Sequence, residues 1–466
     1  MQAQGERTGT PNPTRRRTLP LNKTLRLASL IVAALFFATA LTAYLTEAVI
    51  HPGLVLYWYD LNVYNDAGLI TRQLPSYLYI WQLSSTVKFT YTPFAALIFA
   101  GLSFLPWAVL RWLMTSASLA AIPLIAWLTL GAMGKRGVGR AAMALAVAGL
   151  GLWAEPVTKA LYLGQIEPLL LLLVVWDVTR KDSARLKGAG IGIAAGIKLV
   201  PLLFIPFLVA TGKLRQALVA TVTFAVTVLV GFIALPGPSL SYWVSGYFFR
   251  PGRTGAVDAL VNQSLLAMLA RQAGGGKAAE PIWLPIAVVV ALGGVLAAAL
   301  FSRAGKPVQA WVLVGVTSVL VSPISWDHHW VWILPVLAMI GGLTMSARGV
   351  ARYAYLIAGL AVAAVFGSWP SKLSGPQAFV PQRGLIGWFV QPPQSYAVTT
   401  LHGWELLTWN MFVLAGAVIY LVMVGSAVAV WWRNRRKKPT PPLSPADTPI
   451  DALLARADAV LRTPTL

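Results

Sequence analysis

The stretch RLASLIVAALFFATALTAYLTE, from Arg26 to Glu47, holds no charge between its two ends. Crossing a hydrocarbon layer of about 30 Å takes about 20 helical residues, so this run predicts a transmembrane helix. Working outward, comparable apolar runs recur as far as Arg433. Of the whole chain 57% is hydrophobic and only 11% charged, against about a quarter charged in soluble domains. Helices are the expected spanning elements, because each satisfies its own backbone hydrogen bonds in lipid. The net charge of +22 does not point to nucleic acid, since the basic residues sit in short clusters between apolar runs. That is the pattern of cytoplasmic loops. Arg15, Arg16, Arg17, Lys23 and Arg26 put the N-terminus in the cytoplasm, and the first helix reads as retained, without a trusted cleavage signal. There is no cysteine, so disulfides, thiol catalysis and thiolate metal sites are excluded.

Because each crossing changes sides, the basic clusters constrain the topology. Residues 1–25 read as a basic cytoplasmic segment, 26–433 as one multi-pass domain, and 434–466 as a disordered cytoplasmic tail rich in proline. His51 to Thr92 is polar and aromatic and is expected outside. Pro93 to Met133 must cross an odd number of times, although it is long enough for two helices. Ala141 to Ala154 and Ile166 to Val178 read as an out-and-back pair whose outer turn holds Gly164, Gln165 and Glu167. Gly188 to Gly212 is apolar yet flanked on both sides by basic clusters, Arg185 and Lys187, then Lys213 and Arg215. Two half-helices meeting near Lys198 and Pro201 satisfy both constraints, with the turn buried in protein or lining a cavity; a single span with one misassigned flank is the alternative. Further spans end at Arg303, near Trp330, at Arg348, near Trp369 and at Arg433 to Lys438. The expected architecture is an all-α polytopic membrane protein with about 12 crossings, without the internal repeat common in transporters.

Most of the acidic residues then fall on or near the outer side, with His51, His328 and His329 at outer helix ends and His402 in the last outer loop. Asp60 lies in Tyr57-Trp58-Tyr59-Asp60-Leu61-Asn62-Val63-Tyr64. An ionised carboxylate at a membrane boundary is costly without water or a partner, which makes it a candidate catalytic residue; a merely interfacial acid is the plainer alternative. The surrounding rings suit a sugar face, although Trp and Tyr also collect at interfaces generally. Asp66 is second choice for the same role. Trp326-Asp327-His328-His329-Trp330 is the densest polar cluster at a span end. Adjacent histidines cannot share one helix face as metal-binding i, i+4 pairs do, so no metal site is expected. One imidazole is expected in the cavity, relaying a proton or touching phosphate, and the other packed; headgroup snorkelling is the alternative. Lys198 is far from either basic cluster and needs an anion, for which a lipid phosphate is the obvious candidate, again with snorkelling as the alternative.

Six segments, in order, carry a family resemblance: Asp60-Leu61-Asn62-Val63-Tyr64, Tyr91-Thr92-Pro93-Phe94, Gly164-Gln165-Ile166-Glu167, Gly196-Ile197-Lys198-Leu199-Val200-Pro201, Asn262-Gln263-Ser264-Leu265 and Ser322-Pro323-Ile324-Ser325-Trp326-Asp327-His328-His329. Together they resemble the actinobacterial polyprenyl-phosphate-mannose-dependent α-(1→2)-mannosyltransferases, glycosyltransferase family 87, of the C-type (GT-C) fold. The resemblance implies an inverting transfer from β-linked mannosyl phosphate on decaprenol to a 2-hydroxyl of a phosphatidylinositol mannoside, lipomannan or lipoarabinomannan. It maps the base onto Asp60. His328 is the second expected catalytic residue, and Tyr64, Asp66, Gln165, Glu167, Lys198, Asn262, Asp327 and His329 are the expected substrate contacts. Many members have Asn where this chain has Glu167, which leaves that position's role open. Expected partners are a polyprenyl-phosphate sugar donor, a glycolipid acceptor and membrane lipid, with no nucleic acid and no cofactor. The site is expected on the extracytoplasmic face of the plasma membrane. An arabinofuranosyltransferase using polyprenyl-phosphate-arabinofuranose and a lipid-linked sugar flippase or transporter are the alternatives. Long aromatic outer loops such as Leu54 to Thr92 favour an enzyme over alternating access.

Overall fold

The computed structural model of the protein describes residues 23–80, 82–83, 87–253, 255–368, 385–386 and 401–436. The start of the expected basic N-terminal segment, most of the tail and the middle of the last outer loop lie outside the described residues. Within them the apolar runs are helices, and the sheet is one short hairpin of β1 (Gln82–Leu83) and β2 (Val87–Lys88).

Among the described residues six helices are long and apolar enough to cross a membrane: Thr24–Ile50, Trp107–Ala132, Leu214–Ala234, Gly276–Arg303, Asp327–Ser346 and Met411–Arg436. Leu27, Val32 and Leu35 on the first of these point outward, as lipid contact demands. Five more apolar helices among the described residues have 10 to 17 residues, short of the usual spanning length of about 20. The region from Pro93 to Met133 holds both kinds, a short α4 (Pro93–Leu102) and the long α5 (Trp107–Ala132). Only the second is long enough to cross alone.

Two broken elements shape the interior. The expected outer turn around Gly164 is more structured than a turn, because Glu155 to Leu163 forms a helix of its own, α7, before α8 (Glu167–Thr179). The two are bent by 119°. Gly164, with φ +68, makes the break, and a Cβ there would lie 2.8 Å from that of Leu61. Only glycine satisfies both the left-handed backbone and the close approach.

The second break is at Lys198, whose backbone is extended between α9 (Ala189–Ile197) and a 3-10 turn leading to α10 (Phe204–Ala210). Along α11 (Leu214–Ala234), Gly188 faces Gln216 and Ala220, Gly192 faces Ala220 and Thr223, and Gly196 faces Thr227. α9 therefore runs parallel to α11, and α10 must return to where α11 begins. Asp182 ties both ends together, bonding Lys187 at 2.8 Å and Lys213 at 3.2 Å. The half-helix arrangement drawn from charge parity is the observed one. At the centre of the bundle, α15 (Pro307–Val321) and α16 (Ile333–Ser346) are apolar on nearly all faces and buried throughout most of their lengths.

Candidate active site

Asp60 is the second residue of α3 (Tyr59–Gln73), whose start is pinned by two neighbouring helices. The Tyr57 and Trp58 amides both donate to the carbonyl of Tyr162 on α7, and the Trp58 indole donates to Thr115 on α5 at 3.1 Å. Trp58 takes the left-handed conformation at φ 50, an uncommon choice for a bulky residue and one that surrounding contacts must enforce. This delivers the Asp60 carboxylate to Gln165, which follows the Gly164 break. The Gln165 amide donates to Asp60, while the hydroxyls of Tyr64 and, at 3.2 Å, Tyr91 donate to its carbonyl. Tyr64 stacks on Phe99 with ring centroids 4.4 Å apart. Burial pushes the Asp60 pKa above its ordinary value, a shift that nearby His328 and the Gln165 bond only partly oppose.

The opposite wall is charged. At the α9 break the Lys198 ammonium bonds the carboxylate of Glu167, stands 2.9 Å from His329 Nε2, and lies over the Tyr91 ring at 5.2 Å. The break is held in place by Thr92, which caps α4 and donates its hydroxyl to the Gly196 carbonyl. Two buried atoms beside this cluster have no partner among the described residues, Glu167 Oε2 and His328 Nε2. Ligand atoms of Glu167, His328 and His329 lie within 4.8 Å of one another, a set that could hold a cation. The Lys198 ammonium reaches into it and bonds Glu167 directly.

The two histidines depart from expectation: both line the cavity, with rings 4.7 Å apart at 86°. The reason is that Asp327 to Trp332 is a 3-10 segment rather than α-helix. Asp327 accepts the His328 backbone amide at 2.7 Å and faces its Nδ1 at 3.2 Å, which fixes the orientation of the ring.

Asp60, Tyr64, Gln165, Lys198, Asp327, His328 and His329 thus line one cavity of about 800 Å³. Glu167 borders a smaller adjoining one. Asp66 lies farther along α3, off the lining. Asn262 is fully buried, and its carboxamide is used on backbone, donating to the Val257 carbonyl at 2.8 Å and accepting from Ser325 N at 2.9 Å. It holds the Ser322–Trp326 loop rather than facing the cavity. Arg271 backs the same loop, donating to the carbonyls of Ala259 and Asn262 and to Asn410. Tyr79, Tyr91, Lys159 and Arg253 also line the cavity without having been singled out as site residues. For Tyr91 the signal was its place in the Tyr91-Thr92-Pro93-Phe94 segment; Arg253 had none.

Comparison with known proteins agrees with the resemblance read from the six segments. The model of glycosyltransferase family 87 matches residues 89–323. A polyprenol-phosphate-mannose-dependent alpha-(1-2)-phosphatidylinositol mannoside mannosyltransferase of Mycobacterium tuberculosis is 32% identical over 216 residues, which is 46% of this chain and half of that relative's length. The M. tuberculosis enzyme named for phosphatidylinositol pentamannoside is 29% identical over 336 residues, 70% of this chain and 75% of the relative. Its Mycolicibacterium smegmatis namesake is 30% identical over 297 residues, 62% of this chain and 71% of the relative.

Proposed function

The chain belongs to glycosyltransferase family 87, and from that premise we propose that it moves mannose from a polyprenyl-phosphate-mannose donor to the 2-hydroxyl of a mannose-bearing glycolipid, with inversion. The observation that carries this reading is the pairing, across one cavity, of a half-buried carboxylate held by neutral donors with a cation-lined wall. Asp60 accepts the proton of the acceptor hydroxyl as its oxygen attacks the anomeric carbon. The bond from that carbon to the phosphate oxygen breaks on the opposite face, so configuration inverts. Phosphate leaves as a stable anion and needs cations and hydrogen bonds more than a strong acid. Lys198 supplies the charge and His328 lines the same wall beside the leaving phosphate, while His329 buttresses the ammonium and Tyr64 and Gln165 hold the base in line.

In this reading the protein has the GT-C fold, with the shorter and broken helices bringing the crossings towards 12, and the cavity opens on the extracytoplasmic side of the plasma membrane. The donor's polyprenyl tail stays in lipid while its phosphate reaches Lys198. The test is transfer by the purified, reconstituted protein from decaprenyl-phosphomannose to phosphatidylinositol mannosides. An α-1,2-linked product is expected; transfer from the arabinofuranose donor alone, or none, would defeat the proposal.

A further inference from the structure

The cavity carries a second set of cations that the transfer reaction leaves unused. Lys88 on β2, Arg250 and Arg253 all line it, and among the described residues none has a carboxylate within 4 Å. They are held by other means. Arg253 donates to the Tyr79 carbonyl at 2.7 Å, Arg250 to that of Ser245 at 3.0 Å, and both guanidinium groups lie over Tyr247, at 4.2 and 5.0 Å from its centroid. Each arginine has five N–H donors, so among the described residues most of each fork remains available.

A wall of rings joins this set to the catalytic one. Tyr91, beside Lys198, packs on Phe89 at 5.9 Å, Phe89 on Tyr79 at 5.8 Å, and Tyr79 on Tyr247 at 6.1 Å. The two cationic groups are thus several ring widths apart, with aromatic faces between them of the kind on which sugars stack. The segment bearing the arginines also exposes Val244 and Phe249, at 72% and 68%. Exposed apolar side chains next to paired arginines are how an interfacial element meets acyl chains and an anionic headgroup together.

We infer that Arg250 and Arg253, with Lys88, form an anion subsite that holds the phosphodiester of the acceptor glycolipid while its sugars run along the ring wall to Asp60. The inference rests on the mannosyl-transfer reading and deepens it, because it makes a phosphate-bearing lipid, not merely a mannosylated one, the preferred acceptor. Arginine suits the task, since its planar fork matches two phosphate oxygens at once.

The test uses the full chain in maltoside micelles and two ligands, a phosphatidylinositol mannoside and a phosphate-free mannosyl diacylglycerol. Each is measured by direct binding and as acceptor with decaprenyl-phosphomannose. Arg250→Gln/Arg253→Gln should weaken binding of the phosphate-bearing lipid, and raise its KM, by about tenfold or more, as loss of charge-assisted contacts implies. The phosphate-free lipid and the donor KM should stay unchanged, which also certifies the fold, and Arg250→Lys/Arg253→Lys should recover part of the loss. Equal loss for both lipids, no loss, or a raised donor KM would overturn the subsite. So would competition by phosphatidylglycerol as strong as that by the mannoside, since that would make it a general headgroup contact. If the wild-type protein transferred mannose to neither lipid, the mannosyl-transfer reading would fall, and the binding arm would still decide the subsite.

Discussion

The two walls of the cavity are built by opposite means. Around Asp60 every direct partner is neutral, Gln165 backed by Tyr64 and Tyr91, whereas around Lys198 the partners are the carboxylate of Glu167 and the imidazole of His329. Neutral donors and burial keep a carboxylate basic, because nothing nearby fully repays the cost of its charge. An ammonium paired with a carboxylate is held in place until a competing anion arrives. The contrast teaches that position in the cavity alone does not assign roles. The company each charge keeps separates a proton acceptor from an anion holder.

The sharpest way to break that contrast is Asp60→Asn, which is nearly isosteric and removes only the proton acceptor. The expected loss in kcat is about 10² or more, with donor binding intact in an equilibrium assay. Full activity would strip Asp60 of its role as base. Lys198→Met comes next. Losing a charge-assisted contact costs about 1.5–3 kcal/mol, so donor kcat/KM should fall about 10- to 100-fold with acceptor KM unchanged. Breaking a buried pair by removing one partner also destabilises, by about 3–5 kcal/mol. Lys198→Met/Glu167→Gln should therefore regain thermal stability without regaining donor use, and recovery of both would make the lysine purely structural.

The smallest expected effect sharpens the picture of the neutral wall. The ionised form of Asp60 is the base, so activity must fall as pH falls through its pKa. Burial puts that acid limb of kcat/KM above the ordinary aspartate value of about 3.9. The Gln165 bond favours the ionised form, so Gln165→Leu should move the limb to still higher pH and cost about tenfold or less at pH 7. A limb shifted to lower pH would mean that Gln165 serves substrate rather than the base.

Much of the fold was legible along the chain because it depends on local features. Apolar length marked the long helices, and the basic clusters beside Gly188 and Gly212 pointed to a break near Lys198, with a single span as the alternative. The α7 helix escaped notice, since nine residues containing Glu155 and Lys159 carry no spanning signal. The histidine pair misled because helical spacing was assumed where the backbone is 3-10. Asn262 sits in a matching segment, but nothing in that segment says whether its carboxamide faces substrate or the backbone of Pro323 and Ser325.

By itself the sequence determined that this is a polytopic helical membrane protein, roughly where its helices break, and that Asp60, Lys198 and the Asp327–His329 cluster are costly polar groups in need of partners. These are properties of composition, charge order and residue type, and solvent enforces them on any chain of this pattern. Which partners they meet was decided only by tertiary structure. Gln165 reaches Asp60 from 105 positions away, and His329 reaches Lys198 from 131. Such meetings depend on the 119° bend at Gly164, the left-handed Trp58 and the close approach of Gly196 to Thr227. They are matters of packing between distant segments, where angstrom-scale fit selects one pairing from many that hydropathy and charge would equally allow.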